Sequence, residues 1–352
     1  MNSKERVLKT LNHEEPDRVP VWCGVSPEFL QKAMKELGLS DEEAFRLRIG
    51  DDFRRVHATY VGPDDRSPTL NLPEGITYRT PFGVLRHGYG YGQPVNHPLQ
   101  DATMEEVINY EWPKPEWICA DEIRKDADKW KGQYAILGGD WSPFFHDAID
   151  LLGMEELLTG MYLNPEIIDA VMDRIVDYYY EVNKRIFQAS GDMIDIYFLG
   201  NDLGAQAGPL MGGDLFEKFI ARHIKRLADL AKSFGLKVMM HSCGSIAMLI
   251  DGLFAAEVDA VQALQPDAYL MEASYLKRTY GSRMTFNGCI DSHHVLIDGT
   301  PELVENTTRR ILDIMKPGGG FILSPSHDYL LEETPVMNVI AMYDAAMKYG
   351  GY

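Results

Sequence analysis

The chain predicts an α/β fold closed as a parallel (β/α)8 barrel of the TIM type. Three observations carry that prediction: short apolar, β-rich runs alternate with longer segments of helical spacing, the alternation continues almost to the C-terminus, and eight such runs can be counted. A doubly wound open sheet shares this rhythm and is the alternative architecture.

The first four runs are RVPVWCG ending near Gly24, FRRVHATYV ending near Val61, YAILGGD ending at Asp140 and IDIYFLGND ending at Asp202. Next come KVMMHSC to Cys243, VDAVQAL to Leu264, MTFNGCI to Ile290 and GFILSPSH to His327. The segments before the fourth, fifth and eighth runs have helical spacing, and Gly235 and Gly318 stand where helix C-caps belong. Thr300, Pro301 and Glu302 form a helix start, with an N-cap hydroxyl, proline in the first turn and an early acid. One stretch departs from the rhythm. TYRTPFGVLRHGYGYG, residues 77–92, alternates and carries turn glycines, which reads as a β-hairpin inserted after the second strand at the barrel rim. No repeat or low-complexity linker divides the chain, so residues 1–352 are expected to form a single barrel domain.

Composition narrows the function. Of 352 residues, 45% are hydrophobic and 25% charged, as in a globular protein with a full-sized core. No apolar run reaches the length of a membrane span, and the start MNSKERVLKTLNHEEPDRVP lacks the apolar stretch of a signal peptide, so a cytoplasmic protein without a membrane partner is expected. With 53 acidic against 34 basic side chains and no basic run, nucleic acid is a poor partner. The four cysteines, Cys23, Cys119, Cys243 and Cys289, are scattered, which suits buried thiols or metal ligands rather than disulfides.

In a parallel barrel the C-terminal strand ends form the reactive face. Here they supply Asp140 with Trp141, Asn201 with Asp202, His241 and Cys243, Gln262 and Gln265, Asn287, Cys289 and Asp291, and Ser324, Ser326 and His327. Strand-end polar residues also cap the helices that follow, a role expected for about half of these. His241 and Cys243 resist that explanation. At i and i+2 of a strand, imidazole and thiol face one space, and together they are preferred donors for zinc. A third ligand is then required. His327 and Cys289 are the strand-end candidates, with Asp202 or Asp140 as oxygen donors.

Three stretches carry a family resemblance: RVLKTLNHEEPDRVPVW, NDLGAQAGPLMGGDLFEKFIARHIKRLADLAKSFGLKVMMHSCGSI, and GGGFILSPSHDYLLEETPVMNVIAMYDAAMKYG. They resemble the uroporphyrinogen decarboxylase superfamily nearly end to end, in the branch of zinc-dependent, corrinoid-linked methyltransferases. That branch includes methylcobamide:coenzyme M methyltransferases and the methyltransferases of O-demethylase systems. The resemblance implies a (β/α)8 barrel, a zinc ion, and a methyl group moving between a small methylated substrate, such as an aryl methyl ether, and a corrinoid (cobalamin). Its metal signature, His-x-Cys followed by a distant cysteine, maps onto His241 and Cys243. The distant position reads LSPSHDY, so His327 stands there and a His241, Cys243, His327 ligand set is implied.

Tyr197, Asn201, Asp202, Gln206 and Asn287 are expected to position the substrate, Asp202 also as an acid or base. Trp22, Trp141 and Phe144 would supply an aromatic wall. Nothing resembles a D-x-H-x-x-G cobalamin signature, so the corrinoid is expected on a separate partner protein. Two other functions fit less well. Uroporphyrinogen decarboxylation needs an arginine-rich stretch after the first strand, where this chain reads VPVWCGVSPEFLQKAM. A metal-free metabolite-binding barrel would leave the His-x-Cys pair without a role.

Overall fold

Seven parallel strands form the central sheet of the computed structural model, which describes residues 1–68, 75–88 and 92–352. They are β1 (Phe53–Arg55), β2 (Ala135–Gly138), β3 (Ile196–Gly200), β4 (Lys237–His241), β5 (Ala260–Leu264), β6 (Thr285–Ile290) and β7 (Phe321–Pro325), each paired with the next. The first apolar run closes the barrel with a bridge rather than a full strand. Val21 makes a parallel bridge to Leu323 of β7, and its carbonyl accepts the Asp52 amide at 3.0 Å next to β1. Pro20 lacks an N–H, which limits the ladder there, although its carbonyl accepts the Leu323 amide at 2.9 Å. The buried Asp52 carboxylate ties the seam: it accepts the Val21 amide at 2.9 Å and pairs with Arg6 at 2.7 Å and Arg18 at 2.8 Å.

The second run is shorter in the sheet than its pattern suggests. After Arg55 the chain leaves the barrel, and Thr59–Tyr60 pairs antiparallel with Ile118–Cys119. Within the expected hairpin, Thr77–Arg79 pairs antiparallel with Leu85–His87, which also pairs with Gln93–Pro94; residues 89–91 of that segment lie outside the described residues. The Thr300 hydroxyl accepts the Leu303 amide and caps the helix Pro301–Met315, as its sequence requires.

Strand alternation sorts the core into two layers. Trp22, Phe53, Leu137, Phe198, Met239 and Ile322 fill the barrel interior, plugged from the N-terminal end by Val7 and Leu11 of the helix Ser3–Leu11. Their neighbours, such as Tyr197, Leu199, Val238, Met240 and Phe286, pack outward under the helices. His241 is two residues beyond Met239 and therefore shares the interior face. Gln262, Asn287 and Ser324 are buried at the upper ends of β5 to β7. The Ser324 hydroxyl donates to Asn287 Oδ1 at 2.6 Å.

Between β5 and β6 the register shifts after Gln262, and Ala263 and Cys289 take positive φ angles of 68° and 75°. Such irregularities break side-chain parity. Cys289 accordingly lies in the outer apolar layer, 1% exposed, and burial pushes its thiol pKa up to about 12.

Candidate metal centre

β4 ends at His241, and the following turn brings Cys243 back beside it. Gly244 has φ +74°, and a Cβ there would lie 2.4 Å from the Gly204 carbonyl carbon, so the turn packs backbone to backbone against the loop after β3. That contact sets the loop carrying Asp202 against the His-x-Cys segment. His241 Nε2 lies 3.5 Å from Cys243 Sγ and 3.1 Å from Asp202 Oδ1, and Asp202 Oδ1 accepts the Cys243 amide at 2.8 Å. The three donor atoms fall within 4.8 Å of one another.

Gln262 controls the imidazole. Its Oε1 lies 2.6 Å from His241 Nδ1, which donates to it, so a metal that displaces the Nε2 proton would meet a lone pair directed at the carboxylate and thiol. Burial works against the imidazolium, but Asp202 and Cys243 outweigh it and hold the His241 pKa well above the ordinary histidine value. Burial likewise opposes ionisation of Asp202, and hydrogen bonds from His146 and His241 overcome it, keeping the carboxyl well below its usual range. His146 Nε2 meets the other carboxylate oxygen at 3.2 Å.

Zinc fits this donor set. Tetrahedral zinc bonds of about 2.0–2.3 Å place neighbouring donors about 3.3–3.6 Å apart, close to the separations observed. One imidazole, one thiolate and one carboxylate would neutralise the ion. Trp141 completes the wall, its ring centroid 5.4 Å from that of His241 and 4.9 Å from that of Phe198. It lies over Gly200, where a Cβ would stand 1.9 Å from the indole.

The remaining expected residues divide. His327 stays apart from the cluster of three: its ring Nδ1 is 2.9 Å from the Tyr329 carbonyl, and it lines a separate cavity of about 230 Å³. Asp202, an oxygen-donor candidate in the sequence, takes the third place. Tyr197 turns outward because its neighbour Phe198 takes the interior pleat, and its hydroxyl donates to Ser142 Oγ at 2.9 Å. Asn201 is buried under the helix Phe144–Leu152, where Oδ1 accepts the Phe145 amide at 2.9 Å. Phe144 is also in the outer layer. Asp140 accepts the Ser142 amide at 2.9 Å and caps its own turn.

Asn287 stays inside the barrel, Gln206 reaches Asp267 and lines the smaller cavity, and Trp22 lines a larger cavity of about 650 Å³. Asp202, His241 and Cys243 line neither cavity, and Tyr329 borders both. Sequence reasoning missed His146 and Asp328, which sit inside a helix and just past the last strand, with no spacing signal to mark them.

The uroporphyrinogen decarboxylase (URO-D) family pattern matches residues 91–349. The chain is 23% identical over 358 aligned positions to proteins named methylcobamide:CoM methyltransferase MtbA from Methanosarcina acetivorans and from Methanosarcina mazei, covering 98% of each partner in the alignment. A solved methyltransferase from Methanosarcina mazei superposes with a TM-score of 0.70 at 17% identity, covering 99% of both chains, and shares the fold. Among the described residues no helix is long and apolar enough to cross a membrane.

Proposed function

Because this chain belongs to the uroporphyrinogen decarboxylase family, we propose that it is a zinc-dependent methyltransferase moving a methyl group between a small methylated substrate and a corrinoid carried on a partner protein. The observation that carries this reading is the convergence of Asp202, His241 and Cys243 at the barrel mouth. Full-length similarity to methylcobamide:CoM methyltransferases supports it.

When bound, zinc would supply Lewis acidity, drawing off charge from an atom that loses a methyl group or holding an accepting thiol as thiolate. The chain's own residues prepare that site. Gln262 accepts from His241 Nδ1, leaving Nε2 as the nitrogen that would bind the metal. Asp202 accepts the Cys243 amide through one oxygen, and His146 Nε2 lies 3.2 Å from the other. Trp141 covers one side of the His241 imidazole. Asp202, His241 and Cys243 would hold the ion and leave room for substrate beside it. A site with a single thiolate would leave a bound ion electrophilic, which favours demethylation of an ether, with an aryl methyl ether the substrate suited to the tryptophan walls. The relatives' names give the opposite sense, transfer between methylcobamide and CoM.

Porphyrinogen decarboxylation fits poorly, since it demands an array of free cations. Of the three arginines lining the larger cavity, Arg46 and Arg54 are already paired with Asp51, Glu42 and Glu43.

Elemental mass spectrometry of untagged protein, prepared anaerobically without added zinc, tests the metal. About one zinc per chain, lost in Cys243→Ser, is expected; a metal-free wild type would overturn the reading. Cobalt absorbance of a corrinoid protein mixed with aryl methyl ethers or with thiols then reads the direction of transfer.

A further inference from the structure

The larger cavity beside the metal centre holds two charged groups, Arg55 and Asp328, that form no ion pair among the described residues, Arg55 meeting only the Tyr329 hydroxyl by hydrogen bond. Arg55 is the third arginine of its lining, and it makes no ion pair among the described residues. Its guanidinium lies instead over the rings of Trp141 at 5.2 Å and Phe198 at 5.1 Å. Asp328 lines the same cavity, is 8% exposed, and has a buried Oδ1 with no hydrogen-bond partner. Opposite charges free to move would meet. Here the Asp328 backbone oxygen packs tightly against Gly24, and Arg55 is stacked on its two rings, so the pair stays apart. A buried acceptor and a half-buried cation facing one space are costly until a ligand satisfies both.

We propose that this cavity binds a small organic carboxylate that also bears a hydrogen-bond donor, Arg55 taking the carboxylate and Asp328 the donor. The planar guanidinium fork matches a carboxylate in two-point contact. A cavity of about 650 Å³ suits a ligand of one ring rather than a macrocycle. Trp22 and Tyr329 give it aromatic walls. Trp141 links the cavity to the metal centre, since its ring neighbours both the Arg55 guanidinium and the His241 imidazole. The identification of this ligand as the methylated substrate rests on the methyltransferase reading; the binding itself does not.

Calorimetric titration of the purified protein with 4-hydroxybenzoate, benzoate and 4-hydroxybenzamide tests the proposal, with zinc content measured on the same samples. The wild type is expected to bind 4-hydroxybenzoate at least tenfold more tightly than the neutral amide. Arg55→Met removes that preference and Arg55→Lys keeps part of it, while Asp328→Asn abolishes the advantage of 4-hydroxybenzoate over benzoate. Equal binding of acid and amide by the wild type, or no binding of either, overturns the proposal even if the Arg55 variants prove unstable. Carboxylate preference in a zinc-free protein would sink the metal reading alone; full zinc without carboxylate preference would sink this one alone.

Discussion

Gln262 Oε1 on β5 lies 2.6 Å from His241 Nδ1 on β4, so a neighbouring strand holds a proton on Nδ1 and leaves Nε2 as the nitrogen a metal would take. Outer partners of this kind orient metal-binding imidazoles and raise their basicity. Gln262→Leu should therefore weaken zinc binding by about 10- to 100-fold, whereas Gln262→Glu, which still accepts from Nδ1, should retain it. Competition with a chromophoric chelator measures both. Unchanged affinity in the leucine variant would remove Gln262 from the site.

The third ligand can be identified directly. Asp202→Asn should lower zinc occupancy at least about tenfold, the effect typical of a lost ligand or its close support, while His327→Ala should keep the metal because that ring is engaged with Tyr329. The reverse outcome would restore the two-histidine set suggested by the position of His327.

Gly200→Ala places a methyl group on the Trp141 indole, where the Cβ would lie 1.9 Å away. Overpacking of this kind costs about 1–3 kcal/mol. Denaturant midpoints should show it. Trp141→Ala should remove most of the penalty in a double-mutant cycle, and additive effects would argue against the contact.

The thiols should differ sharply in reactivity. Burial pushes both Cys23 and Cys289 up to about 12, leaving little thiolate at neutral pH, while Cys243 is partly exposed at the mouth. In metal-free protein a maleimide should label Cys243 and spare Cys23 and Cys289, and zinc should protect Cys243. Mass mapping that finds Cys289 labelled first would contradict its place in the outer layer.

Acid stability should depend on Asp17. The Arg6 guanidinium beside it holds its carboxyl at about 2, below the ordinary value of 3.8. A folded pKa depressed in this way contributes stability that is present above about pH 4 and lost as pH falls from about 4 to about 2. Asp17→Asn should flatten the pH dependence of unfolding in that window and leave it unchanged near neutrality. An identical acid profile would show the pair to be without effect.

Much of this architecture was legible along the chain because parallel-strand burial writes itself as short apolar runs. The runs ending at Asp202, Cys243 and His327 contain β3, β4 and β7, and the motif His-x-Cys marked its own strand end. The first two runs were less faithful. Proline at position 20 reduced one to a bridge, and the other left the barrel after Arg55 to pair elsewhere.

The sequence by itself determined the alternating barrel, the family, and the pair His241 and Cys243, since each depends on local residue type and spacing. Only the tertiary structure decided what joins that pair. Asp202 arrives from another strand end through a backbone packing between Gly204 and Gly244. Cys289 is carried outward by a bulge, Tyr197 by strand parity, and Arg55 forms no ion pair among the described residues while its neighbours Arg46 and Arg54 find acids. Proximity between distant strand ends is set by sheet closure, register and bulges, and a one-residue change in any of these redirects a side chain without altering the local pattern that the sequence displays.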